Sequence, residues 1–129
     1  MGFSLKFNVS TAHVKEAYLA KNIANEDASE PLFEKVGAVY HQSDGPFYLQ
    51  VETAGVVDTI VLKASWIAVN AAGAINQVIG AADYTTDKSQ RFYFDYSLPR
   101  IWPLGEYKVE LYLNEKLDRS IEFTVVGDE

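Results

Sequence analysis

The sequence predicts an all-β sandwich, and three observations carry that expectation. A rigid turn, Trp102-Pro103-Leu104-Gly105, feeds a strand of strict alternation. Segments of period two lie at 47–52, 91–96, 106–113 and 120–125. Turn signals separate the apolar segments about every 8–12 residues, the spacing of sandwich strands.

In the turn, Pro103 locks its own φ and removes a donor, while Gly105 permits a positive φ. The period then becomes two. Tyr107, Val109, Leu111 and Leu113 share one face, and Glu106, Lys108, Glu110 and Tyr112 share the other. That is one buried face and one solvated face. After the link Asn114-Glu115-Lys116, Ile121, Phe123 and Val125 alternate with Ser120, Glu122 and Thr124, a hairpin partner. Tyr107 stands where sandwich domains carry a corner tyrosine whose hydroxyl bonds back to the connecting loop; a plain core tyrosine is the other reading.

The earlier elements are less regular. Residues 12–23 hold Val14, Ala17, Leu19 and Ile23 among charged neighbours. A short helix satisfies their propensities. An irregular first strand, with a bulge between Val14 and Ala17, is the expectation. Residues 24–31 form an acidic, breaker-rich link, and Leu32 to Val39 reads as one weak edge strand. Ser43-Asp44-Gly45-Pro46 is a turn. Phe47, Leu49 and Val51 then point one way and Tyr48, Gln50 and Glu52 the other.

Thr59 to Val69 is the longest apolar segment, with Ile60, Leu62, Ala64, Trp66 and Ala68 expected inward. Asn70-Ala71-Ala72-Gly73 turns the chain, and Ile75 to Ile79 returns as a hairpin. An Ala-rich helix is the rival there, broken by Asn70, Gly73 and Gly80. In the 91–96 segment, Phe92, Phe94 and Tyr96 oppose Tyr93 and Asp95. The expected core is Leu49, Val51, Leu62, Trp66, Phe92, Phe94, Tyr107, Val109, Leu111, Ile121 and Phe123.

Trp102, Pro103, Gly105, Tyr107, Val109, Tyr112 and Asn114, followed by Phe123-Thr124-Val125, make up a Trp-Pro-x-Gly-x-Tyr-x-Val-x-x-Tyr-x-Asn run with a Phe-Thr-Val end. This run resembles the C-terminal half of small immunoglobulin-like domains in bacterial secreted proteins and lipoproteins. A strand ending in a Trp, Leu62 to Trp66, fits as well, and the likeness spans roughly residues 45 to 126. The resemblance implies an immunoglobulin-like antiparallel β-sandwich of about seven strands in an exported, periplasmic or cell-surface protein. It implies little about function, since such domains serve as binding and spacer modules and a fold does not name an activity. A single domain is expected over residues 12–126, with 1–11 and 127–129 as flexible termini.

Composition narrows the function classes. A chain of 129 residues is long enough for one real core. The net charge is −7 and the three arginines, Arg91, Arg100 and Arg119, are scattered. A phosphate-backbone partner needs clustered Lys and Arg, so no nucleic acid is expected. Cysteine is absent, which removes disulfides, thiol catalysis and Cys-ligated metals. No apolar run reaches the length of a membrane span. The start, Met-Gly-Phe-Ser-Leu-Lys, lacks the charged and apolar regions of a signal peptide, and Lys6 breaks the myristoylation pattern. If Met1 is the native start the protein is cytoplasmic; the family resemblance implies export.

No motif carries a chemistry. His13 and His41 lie far apart in the chain, and a metal site would have to recruit carboxylates from elsewhere. Asp83 and Asp87 flank Tyr-Thr-Thr without the glycine and terminal glutamate of a calcium loop, so they read as turn-forming acids. No nucleophile elbow, phosphate-cradling loop or zinc-protease pair occurs. A non-enzyme without cofactor or metal is expected. A hydrolase using loop carboxylates is the minority alternative.

What remains is surface. If the first strand and the 47–52 and 91–96 strands share a sheet, their outward residues include Tyr18, Tyr48 and Tyr93. Tyrosine buries a large area at low entropic cost and keeps a polar tip, which suits an interface. Aromatic cross-strand pairs also stabilise exposed faces without any ligand, by about 0.2–1 kcal/mol each. Trp102 is either a residue packed over the sandwich end or a stacking platform for sugar or peptide. The expectation is a binding module using Tyr18, Tyr48, Tyr93 and Trp102, or a sheet edge, to dock another protein; a spacer without its own ligand is the alternative.

Overall fold

A computed structural model describes residues 11–24 and 27–128. Among the described residues there are nine strands and one 3-10 turn. They are β1 (His13–Asn22), β2 (Phe33–Lys35), β3 (Val39–His41), β4 (Phe47–Ala54), β5 (Ile60–Ala71), β6 (Ala74–Thr86), β7 (Arg91–Tyr96), β8 (Gly105–Leu113) and β9 (Lys116–Val126). The 3-10 turn is Gln42–Asp44. One sheet runs β2-β1-β4-β7 and the other β3-β9-β8-β5-β6. All pairings are antiparallel except β3 on β9, which is parallel. The chain is an all-β sandwich of two facing sheets.

The alternating segments form strands because each has one face to bury. Leu19, Leu49 and Phe94 align across β1, β4 and β7, and Ala17, Val51 and Phe92 align two residues away. Opposite them stand Leu62, Ala64, Trp66, Val109 and Leu111, all essentially inaccessible. Of the expected core, Phe92 and Ile121 are only partly buried; the other nine are buried. The expected bulge in β1 lies between Val14 and Glu16. Both long hairpins turn on two residues of positive φ, Ala72-Gly73 and Asn114-Glu115, as two-residue type I′ connections require.

Three expectations need correction. The weak stretch from Leu32 to Val39 is two strands, not one. β2 pairs with β1, and after Lys35 the chain crosses so that β3 pairs with β9 in the other sheet. The switch adds a strand, and the described residues form nine where about seven were expected. Trp66 does not end its strand: β5 continues to Ala71, absorbing a bulge between Ala68 and Asn70 against β8. The returning strand does not stop at Ile79 but runs to Thr86, so Asp83 is a strand residue opposite Lys63 rather than a turn acid.

Side chains tie the sheets together at their margins. Tyr40 on β3 reaches the other sheet, where its hydroxyl donates to the Ala20 carbonyl at 2.7 Å and shares the Tyr48 carbonyl at 3.1 Å. Arg119 on β9 donates to the Val14 carbonyl at 2.9 Å. On the opposite margin the Tyr96 hydroxyl donates to the Ile79 carbonyl at the β6 bulge. Near the termini, Thr11 bonds the Gly55 carbonyl and Asp128 accepts from the Ser43 amide at 3.0 Å. Residues 1–10 and 129, which belong to the expected flexible termini, lie outside the described residues.

Candidate functional site

The outward face of the four-stranded sheet collects the expected tyrosines. Antiparallel register sets Tyr18 opposite Gln50 and Gln50 opposite Tyr93, one row across β1, β4 and β7. The next row is Ala20, Tyr48 and Asp95, and on the other side lies Glu16, Glu52 and Arg91. Side chains on one face of neighbouring strands stand close enough to touch, so Tyr48 and Tyr93 meet on the diagonal. Their ring centroids are 5.5 Å apart and edge to face.

Phe33 completes the cluster from β2. Its ring lies 4.9 Å from Tyr48 and 4.9 Å from Tyr93. Between these strands Ala20, on the same face, is wholly buried; a larger residue there would hold the rings apart. The link before β2 is set by Asn22, whose Oδ1 accepts from the Ala24 and Leu32 amides, each at 3.0 Å. Tyr18 stands beside the cluster with the Lys35 ammonium 5.3 Å from its ring centroid. Gln50 is buried between Tyr18 and Tyr93, whereas Tyr93 is 44% exposed.

Charges rim the rings. Arg91 bonds Glu52 at 3.0 Å, with Lys15 3.9 Å from the same carboxylate. The Arg91 hydrogen bond holds the Glu52 carboxyl below its ordinary value. Partial burial, and then the Asp95 carboxylate, pushes the Tyr48 phenol upward. The Tyr48 phenol therefore stays neutral at physiological pH and offers both a donor and an acceptor.

Trp102 does not belong to this surface. It is 2% exposed and stacks on Phe47 at 4.2 Å, with Tyr107 edge-on at 5.1 Å. Its indole N–H has no partner among the described residues and no access to solvent, so the side chain is not placed to stack on a ligand or donate to one. The Gln42 amide fastens this corner by donating to the Trp102 carbonyl at 2.7 Å. Trp102 is the packed corner residue, and a sugar- or peptide-stacking role is corrected by its burial.

The titratable candidates stay apart. His13 and His41 are exposed, and His41 Nδ1 lies 3.6 Å from Asp44 in the 3-10 turn. Asp83 lines a hollow with Glu115, while Asp87 lines another with Lys88 and Gln90. Among the described residues, no three His, Asp or Glu side chains converge as a metal site would need, and no helix is long and apolar enough to cross a membrane.

Phe33, Lys35 and Gln50 are the members of the face that sequence reasoning misses. Phe33 sits in a stretch without clear period, and its position depends on β2 joining the sheet beside β1. Gln50 reads as a solvated residue and is buried only because tyrosines stand on both sides.

No family model matches the chain, and no curated protein matches it. Among solved structures the chain is similar to the Pseudomonas fluorescens alkylpurine DNA glycosylase AlkC bound to DNA containing an abasic site analog. The TM-score is 0.54 at 13% identity, over 88% of this chain and 30% of that one. At that identity the likeness shows the fold alone.

Proposed function

We propose that this domain is a non-catalytic interaction module of an exported bacterial protein, docking a protein partner through the outer face of the four-stranded sheet. The observation that carries the reading is the Phe33–Tyr48–Tyr93 cluster, which leaves Tyr93 44% exposed above a charged rim. Aromatic rings at the centre with charges around them are the usual anatomy of an interface. The assignment to bacterial secreted immunoglobulin-like domains, and with it export, rests on the Trp102–Asn114 run. Asp83 sits within β6 opposite Lys63, and Asp87 follows the end of that strand at Thr86, which weighs against a hydrolase built on the two as loop carboxylates.

A spacer without a ligand is the second reading, and one observation favours it. The rings pack edge to face on one another, so the cluster can act as a small accessory core holding β2. A photo-crosslinking residue at position 93 in the native host separates the two. The module reading predicts one crosslinked protein from position 93 and none from the control position Glu122 on the opposite sheet. Equal crosslinking from both positions, or none from either, supports the spacer.

A further inference from the structure

β6 is the outermost strand of the five-stranded sheet, and among the described residues nothing pairs with its far side. Its first half is irregular. Asn76 has φ +49°, and the bulge opposite Trp66 and Ile67 leaves Ile79 without a register partner. From Gly80 to Thr86 the strand is regular, matched residue by residue to β5 from Trp66 back to Ile60. Tyr96 braces the start of this run from inside, its ring against Gly80 and its hydroxyl on the Ile79 carbonyl.

A rigid strand with a free edge is a template for one more strand. Backbone hydrogen bonds supply the attraction, and hollows beside the edge read the added side chains. The other edges are defended. β2 and β3 have three residues each, and β7 carries Arg91 and Asp95 within six. Gly80–Thr86 has no proline and a single charge, Asp83.

That charge selects the occupant. Antiparallel pairing with a second copy, centred on this run, brings the two Asp83 carboxylates opposite or diagonal to one another, which is repulsive. A basic residue on the added strand reverses the sign. Lys63, the register partner of Asp83, places its ammonium 5.7 Å over the Tyr112 ring. Among the described residues no ion pair engages Asp83. Beside the edge is a shallow hollow of about 460 Å³ lined by Val61, Lys63, Ala81, Ala82, Asp83 and Glu115. The alanines leave room for a long side chain, and the net charge of −7 draws a cationic one.

We propose that the Gly80–Thr86 edge of β6 accepts an extended, Lys- or Arg-bearing segment of a protein partner as an added antiparallel strand. Its basic side chain lies in the hollow beside Asp83 and Glu115. This edge is on the sheet opposite the tyrosine face, so each surface stands or falls by its own test.

The probe is a capped seven-residue peptide of alternating Thr and Val with a central Lys, titrated into the 15N-labelled domain. The expected result is amide shifts confined to β6 and the adjoining part of β5. Binding weakens about fivefold when Glu replaces the Lys, and about fivefold in the Asp83→Asn variant, the scale of one exposed ion pair. Raising the salt from about 0.05 to 0.5 M weakens it further. Asp83 is exposed, so the variant keeps its fold, which its own spectrum verifies. Equal binding of the Lys and Glu peptides overturns the proposal. So do shifts centred on Tyr93, no shift at millimolar peptide, or self-association through β6 without peptide.

Discussion

The Tyr107 hydroxyl donates to the Pro103 carbonyl oxygen at 2.7 Å, four residues upstream. This is a corner tyrosine: the first turn of β8 is stapled to the loop that feeds it. The bond also holds Trp102 between Phe47 and Tyr107. Tyr107→Phe keeps the ring and loses the bond, so it should cost about 1–2 kcal/mol. Urea unfolding should show a lower midpoint with unchanged slope; an unchanged midpoint would make Tyr107 a plain core residue.

Gly105 has φ +150°, and a Cβ there would lie 2.5 Å from the Asn70 carbonyl oxygen and 2.6 Å from the Ala71 Cβ. Neither neighbour can yield without moving β5. Gly105→Ala should therefore destabilise the domain by more than the roughly 1 kcal/mol typical of point changes. Thermal melts should place it well below Gly73→Ala, where a Cβ meets nothing and only the backbone angle is strained. Equal losses at the two sites would contradict the crowding argument.

Phe94 and Leu111 anchor opposite sheets of one core, both essentially buried. Truncating either to Ala should cost about 2–5 kcal/mol, as cavities in packed cores do. Chemical denaturation reads this directly. A loss within the range of surface substitutions, about 0.5 kcal/mol, would mean the two sheets do not share that core.

These expectations were legible in different degrees from the residues. β4, β7, β8 and β9 announce themselves because each has one solvated and one buried face, so the period of two shows. β2 and β3 do not, because three-residue strands that change sheets midway have no period to display. The length of β6 was hidden for a related reason. Most of β6 is wet on both faces, so Ala81, Ala82 and Asp83 look like loop. The tyrosine face was half visible: register is needed to bring Tyr48 to Tyr93, and Phe33 enters only through the placement of β2.

Alkaline stability should report the Tyr40 contact between sheets. Burial holds the Tyr40 phenol well above its ordinary value near 10, and Tyr48 and Tyr107 shift the same way. A group with a raised folded pKa keeps its proton longer when folded, so stability falls as pH rises. The contribution is complete below pH about 10 and is lost above it. Unfolding midpoints should be level up to about pH 9 as far as tyrosines are concerned, then decline. Tyr40→Phe should flatten that decline, at a pH-independent cost of about 1–2 kcal/mol for the lost bonds. An equally steep decline in the variant would contradict the assignment.

The central claim is that the Phe33–Tyr48–Tyr93 face binds a partner rather than merely steadying β2. It is tested most directly by measuring Tyr93→Ala twice, in partner affinity by calorimetry and in melting temperature. Tyr93 is the most exposed ring of the cluster, so the account predicts a melting temperature within a few degrees of the parent. Affinity should fall at least about tenfold, the scale of a central interface tyrosine. A variant that binds its partner undiminished, or that loses stability instead of affinity, would contradict the account and make this face an accessory core.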